Sequence, residues 1–294
     1  MSRPAVRSLL SLLKAFPPLR RAMTADPVPR SAAQTRRDLA LALVYGGLCH
    51  AMFGLAVLAM IAAMWFGMSR SLGAVPSPWG WFVNAALIAQ FPLGHSFLLT
   101  RTGGKVLAGL APAGTGKTLA TTTYALVASI QLGLLFVFWT PSGIVWWQAE
   151  GALLWLFGLL YGACWLLLIK ASFDAGAEVQ SGLLGWASLA RGVRPQFPPM
   201  PSAGLFAVMR HPIYLSFTLT LWTVPTWTPD QLLLASLLTL YCVCAPVLKE
   251  RRYTRMFGAE FEAYRAHTPY FLPRLRSRTR QAPSTNGTIA NDPA

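Results

Sequence analysis
The sequence predicts an all-α polytopic membrane protein with about six transmembrane helices and both termini cytoplasmic. Three observations carry this reading. First, the 294 residues are 54% hydrophobic and only 12% charged, with a mean hydropathy of +0.45. That is too apolar for a water-soluble domain of this size. Second, six runs contain no Lys, Arg, Asp or Glu: 39–69, 71–100, 119–149, 151–169, 211–229 and 231–248. A span needs roughly 20 apolar residues to cross ~30 Å of hydrocarbon, so allowing for loops the helices fall near 40–66, 79–99, 119–139, 150–169, 212–228 and 231–248. Third, the 25 basic residues alternate between the connections. Eight precede helix 1, and the successive loops hold one, three, none, four and none, with nine in the C-terminal tail. This is the positive-inside pattern. It puts the 170–210 linker and the 249–280 tail together on the cytoplasmic side. The net charge of +15 is thereby explained without a nucleic-acid partner, and none is expected.

The chain divides into a basic arm (1–37), a four-helix membrane region (38–170), a C-terminal core (171–275) and a disordered tail (276–294). The arm is expected to be disordered or to lie on the membrane, with residues 5–16 forming a short basic amphipathic helix. In helix 1, Tyr45, Gly46, Gly47 and Gly54 permit close helix contact, and His50 is expected to face the bundle. Helix 2 carries Asn84, Gln90 and His95. Polar groups at such depth face protein or a cavity, and His95 is a candidate catalytic residue. The segment Ala111-Pro-Ala-Gly-Thr-Gly-Lys-Thr118 loosely fits a phosphate-binding loop. It lacks the preceding strand and the βαβ context that such a loop requires, so it reads as a Gly-rich turn. Phe136–Trp139 and Trp146-Trp147 read as an outer-interface aromatic belt. The four cysteines lie in predicted spans and lack the spacing of redox or zinc sites, so no metal is expected.

The linker predicts an amphipathic helix from about 177 to 190 and an extended Pro-rich passage over 194–201. It leads into Gly204-Leu-Phe-Ala-Val-Met-Arg-His-Pro-Ile-Tyr214. Pro212 suits the first position of a helix. The helix start, with Arg210 beside it, offers free N–H groups and a guanidinium to a carboxylate or phosphate. After residue 248, Glu250, Tyr253, Phe257, Phe261 and Tyr264 recur at spacings of three or four. Helix 6 is therefore expected to continue out of the membrane with an aromatic face packed on the linker.

Arg210-His-Pro-Ile-Tyr214, a helical hairpin, Glu250-Arg251, Phe257-Gly258, Tyr264 and Pro269 to Pro273 together resemble the isoprenylcysteine carboxyl methyltransferase and phospholipid methyltransferase superfamily. Tyr45-Gly46, Phe53, His95-Ser96, Tyr124 and Phe136–Trp139 look more particularly like the methanethiol S-methyltransferases and NnrU proteins. The resemblance implies S-adenosyl-L-methionine bound on the cytoplasmic side of a bacterial inner membrane. Gly204, Phe206, Arg210, His211, Pro212, Tyr214, Glu250 and Arg251 would bind it, and His211, Glu250 and His95 would be the catalytic candidates. Lys249 stands where the superfamily commonly has the first of two Glu, which leaves Glu250 to serve alone.

The function so implied is methylation of a small thiol, methanethiol to dimethyl sulfide. A prenylcysteine carboxylate or phospholipid amine is the alternative acceptor, and an NnrU-like accessory or transport protein without catalysis is a further reading. The expected partners are therefore a small thiol or lipidic substrate and the bilayer, and the sequence carries no signal of oligomeric state.

Overall fold
The computed structural model describes residues 27–272. The chain folds as a bundle of helices: α1 (Ala32–Trp65), α2 (Trp79–Leu98), α3 (Arg101–Leu110), α4 (Ala120–Val137), α5 (Gly151–Asp174), α6 (Ala177–Gln180), α7 (Leu183–Arg191), α8 (Pro212–Trp222), α9 (Pro229–Phe257) and α10 (Ala259–His267). A 3-10 turn covers Gly204–Ala207, and two short strands, β1 (Trp147–Gln148) and β2 (Thr226–Trp227), pair antiparallel. The protein is an all-α polytopic membrane protein, as expected. The expected helix at 5–16 and the 276–294 tail lie outside the described residues.

Six spans are not what the structure supplies. Among the described residues four helices, α1, α4, α5 and α9, are long and apolar enough to cross a membrane. A fifth span counts only if α2 and α3 are taken together across a 96° bend. The expected fifth helix shrinks to α8, 11 residues, or about 17 Å at ~1.5 Å per residue. Pro212 fixes its start, and the Thr223–Pro225 segment ends it. The chain around α8 nevertheless runs the length of α5. Leu205 N–H donates to Asp174 in the last turn of α5 (2.9 Å), while Thr226 pairs with Gln148 just before its first turn. Non-helical backbone thus covers the remaining thickness, its polar groups satisfied by pairing inside the protein rather than by lipid.

Other boundaries shift for local reasons. α1 begins at Ala32 rather than near 40, because Ser31 and Gln34 form a reciprocal capping box that satisfies the first free N–H groups. The linker helix expected at 177–190 is broken at Gly182, which adopts a left-handed φ of +77° and packs against Thr122 and Ala125. The aromatic belt is half lost. Phe136 and Trp139 are buried in a core built with Met64, Met68, Leu135, Leu221 and Leu234, whereas Trp146 and Trp147 remain exposed. His50 lies on the exposed face of α1 and bonds the Gly46 carbonyl of its own helix.

The polar residues of α2 join it to its neighbour. Asn84 and Thr140 exchange two hydrogen bonds, and so do Gln90 and Gln131. Buried Asp230 at the start of α9 accepts from Trp139 Nε1 (3.0 Å), Ser142 N (2.9 Å) and Ser142 Oγ (2.5 Å). A carboxylate removed from such a place leaves buried donors unpaired. Asp230→Ala is therefore expected to cost about 3 kcal/mol and Asp230→Asn about 1 kcal/mol, read as thermal unfolding in detergent. Equal melting of Asp230→Ala and the native chain would show that the network contributes nothing.

Candidate active site
The residues singled out in the sequence gather at one end of the bundle, on two sides of α9. On one side the centre is Glu250. Its Oε1 accepts from Arg210 Nε and pairs with His211 Nε2, both at 2.7 Å. The ring lies against Tyr270, with centroids 4.6 Å apart. Arg210 also reaches forward: its Nη1 donates to the carbonyls of Thr268 (2.5 Å) and Arg265 (3.1 Å), and its backbone N–H to Pro269 (2.9 Å). The guanidinium expected to meet a ligand carboxylate is thus engaged with protein acceptors, and it ties the linker, α9 and the chain after α10 together. Tyr264 closes the same corner by donating to the Phe206 carbonyl (2.7 Å).

Gly204 explains itself at this point. It sits at φ +61°, and a Cβ there would collide with the Asp174 carboxylate that holds Leu205 N–H and accepts from Lys170. Glycine is needed for that approach. Pro212 occupies the first turn of α8, as its missing N–H allows.

The space at this corner is small. Phe206, Arg210, His211, Lys249, Glu250, Tyr253, Phe261 and Tyr264 line a cavity of about 10 Å³, room for one water. Lys249 occupies part of it, its ammonium 5.1 Å from the Tyr253 ring centroid and 5.5 Å from that of Phe206. That geometry is a cation–π contact.

His211 is buried, 3% exposed. Burial drives its imidazole down to about 4, with the Glu250 hydrogen bond pulling the other way and the Lys249 and Arg210 charges lowering it further. The ring is therefore neutral at pH 7. Glu250, ion-paired with Arg210, only accepts, so the ring proton sits on Nε2. Nδ1 is then a bare acceptor, buried and without a partner.

Across α9 lies a cavity of about 1150 Å³. Its lining includes His95, Ser96, Tyr214 and Tyr241 together with Arg101, Arg251, Arg252, Arg255 and Met256, and the Arg252 charge lies within reach of His95, Tyr214 and Tyr241. Of the expected site residues, His95, Tyr214 and Arg251 belong here, whereas Phe206, Arg210, His211 and Glu250 belong to the small corner. His95 Nε2 is 2.7 Å from the Tyr124 hydroxyl, and its Nδ1 has no partner. Tyr241 and Arg252 were not anticipated. Their signal was present, since 241, 245, 248, 252 and 255 follow the three-and-four spacing of one α9 face.

A histidine kept neutral in the fold and protonated when unfolded makes the unfolded state bind more protons between its two pKa values. Stability then rises with pH across that window. For His211 the contribution is complete above about 6.5 and lost as pH falls toward 4. The native chain is expected to lose melting temperature on acidification from 6.5 to 4 more steeply than His211→Asn. Parallel pH profiles would place the imidazole in water.

No family model matches the chain, and neither does any solved structure. Curated relatives do. The chain is 28% identical over 245 residues to a methanethiol S-methyltransferase of a Pseudomonas species, covering 81% of this chain and 92% of that protein. It is 29% identical over 198 residues to methanethiol S-methyltransferase 2 of Bradyrhizobium diazoefficiens, covering 67% of this chain and 75% of that protein. It is also 30% identical over 161 residues to the nurim homolog of Drosophila melanogaster, covering 51% and 61%. These similarities make the chain a homologue of proteins named methanethiol S-methyltransferase and nurim, and they and the helical membrane fold are consistent with the isoprenylcysteine methyltransferase-like superfamily.

Proposed function
We propose that the protein is an S-adenosyl-L-methionine-dependent methyltransferase of the membrane, acting on a small thiol such as methanethiol. The observation that carries this is the similarity to methanethiol S-methyltransferases over most of the chain, joined to a site whose donor set suits the cofactor. Glu250 offers an anion for an ammonium or ribose, and Arg251 a cation for a carboxylate. Tyr214 and Tyr241 offer rings for a sulfonium, and the unpartnered Nδ1 of His211 offers an acceptor. The residues fit the group in kind. The room for it lies on the large-cavity side of α9, and the Glu250 corner as it stands admits one water.

S-adenosyl-L-methionine, when bound, supplies an electrophilic methyl group carried on a sulfonium. The protein's part is binding, orientation and the handling of one proton. Arg251, on the large-cavity face of α9, would meet the carboxylate of the amino-acid moiety, while Glu250, on the opposite face, fixes Arg210 and His211. Tyr214, less than one helical turn beyond His211, walls the large cavity in which the acceptor sits. His95 stands at the inner end, its ring oriented by Tyr124, and its Nδ1 is the ring atom available to take the acceptor's proton. Positioning of this kind supplies much of the rate in an in-line transfer. On this reading the site faces the cytoplasm, where the basic loops lie, and the membrane is a bacterial inner membrane.

One observation favours a second acceptor class. The cavity, at about 1150 Å³, is far larger than a two-heavy-atom thiol requires, which suits a lipidic acceptor.

Titration of S-adenosylhomocysteine into the detergent-purified full chain tests the cofactor. Micromolar binding is expected, weakened about tenfold to a hundredfold in Glu250→Ala. Methanethiol should then give dimethyl sulfide in the headspace, and His95→Ala should lower the turnover number by about a hundredfold or more with S-adenosylhomocysteine binding unchanged. No binding to the native chain sinks the enzyme reading. Binding with turnover only on lipidic acceptors moves the protein to the second class.

A further inference from the structure
The large cavity carries more positive charge than a methyl donor needs. Arg101 comes from α3, and Arg251, Arg252 and Arg255 come from α9, all on one concave surface. No Asp or Glu lines that cavity, and none of the four arginines forms an ion pair among the described residues. The lining residue Thr254 donates to Glu262, a carboxylate shared with Arg265. S-adenosyl-L-methionine has two cationic groups and one carboxylate, which Arg251 or Arg252 suffices to meet. Arg101 and Arg255 remain. Unpaired guanidiniums converging on one cavity are a phosphate-binding arrangement.

The surroundings indicate which phosphate. Helix α3 turns 96° away from α2, so it runs near the membrane plane, with Val106 and Leu110 exposed along it. Arg101 at its start therefore sits at headgroup depth. Between the arginines the wall is apolar and open: Leu99, Leu248 and Met256 are 41%, 51% and 70% exposed. From Tyr241 to Met256 the cavity follows α9 for about 22 Å at ~1.5 Å per residue. A headgroup at Arg101 and Arg255 leaves the inner end, at His95 and Tyr214, free for a small molecule. Ordinary inside flanks point outward from separate helix ends, whereas these side chains face one hollow together.

We infer that the outer part of this cavity binds the phosphate of an anionic phospholipid, held by Arg101 and Arg255 with its chains along Leu99, Leu248 and Met256. The site is separate from methyl transfer and stands whether or not that activity is found. A seated lipid covers the route by which water reaches His95.

Native mass spectrometry of the full chain, released from detergent with equal phosphatidylglycerol and phosphatidylcholine, tests this. The native chain is expected to retain one phosphatidylglycerol in preference to phosphatidylcholine by about tenfold or more. The double variant Arg101→Gln, Arg255→Gln should bring the two lipids near parity and leave S-adenosylhomocysteine binding within about twofold. Should the double variant fail to fold, the single variants of exposed Arg101 and Arg255, on different helices, are each expected to lower the preference severalfold. Equal retention of both lipids by the native chain overturns the proposal. So does displacement of phosphatidylglycerol by inorganic phosphate at low millimolar concentration, which would mark a free-phosphate site. Loss of S-adenosylhomocysteine binding in the variants also overturns it, because the arginines would then belong to the cofactor.

Discussion
Everything at the functional end of the bundle hangs on one carboxylate. Glu250 holds Arg210 and His211 through the same oxygen, and Arg210 carries the connection on to Arg265, Thr268 and Pro269. Four pieces of chain that share no regular secondary structure, namely the linker end, the first turn of α8, the emergent part of α9 and the segment after α10, are fixed by charge-assisted bonds around it. A partly buried ion pair of this kind is costly to strip of water and more costly to break from one side. Its value is therefore positional: it determines where the rings of Phe206, Tyr253, Phe261 and Tyr264 stand.

The second organising element is α9, which acts as a partition. Lys249, Glu250 and Tyr253 face the filled corner, whereas Leu248, Arg251, Arg252 and Thr254 face the open cavity. Adjacent residues on a helix point about 100° apart, so one turn can serve two compartments with opposite electrostatic character. Lys249 gains meaning from that arrangement. Its cation rests among aromatic rings on the same side as Glu250.

Much of this was legible in the sequence because membranes restrict the choices. Long uncharged runs and the alternation of basic loops gave the helical class, and the paired strands agree, since β1 and β2 come from the two loops without basic residues. The aromatic spacing after residue 248 correctly foretold a face packed on the linker, with Tyr264 on Phe206. What failed was the number of spans, because hydropathy counts residues and does not see that the Thr223–Pro225 segment ends the helix that Pro212 begins. Trp139 was misplaced at the interface because its indole partner, Asp230, lies 91 residues away in sequence. The division of the site residues between two cavities was equally hidden. Motif spacing records order along the chain, not which side of a helix each residue faces.

The far end of the α8–α9 hairpin has a consequence for motion. There Thr226 and Trp227 are laddered to β1, Ala149 N–H bonds Pro225, Thr228 reaches the Gly67 carbonyl, and Asp230 is gripped by Trp139 and Ser142. Ties of that density make this end a pivot. Whatever relative swing α8 and α9 undergo has its fulcrum there and its greatest travel at the opposite tips, where His211 and Glu250 meet. A few degrees of rotation, magnified along the hairpin, becomes displacement at the corner where Arg210, His211 and Glu250 meet.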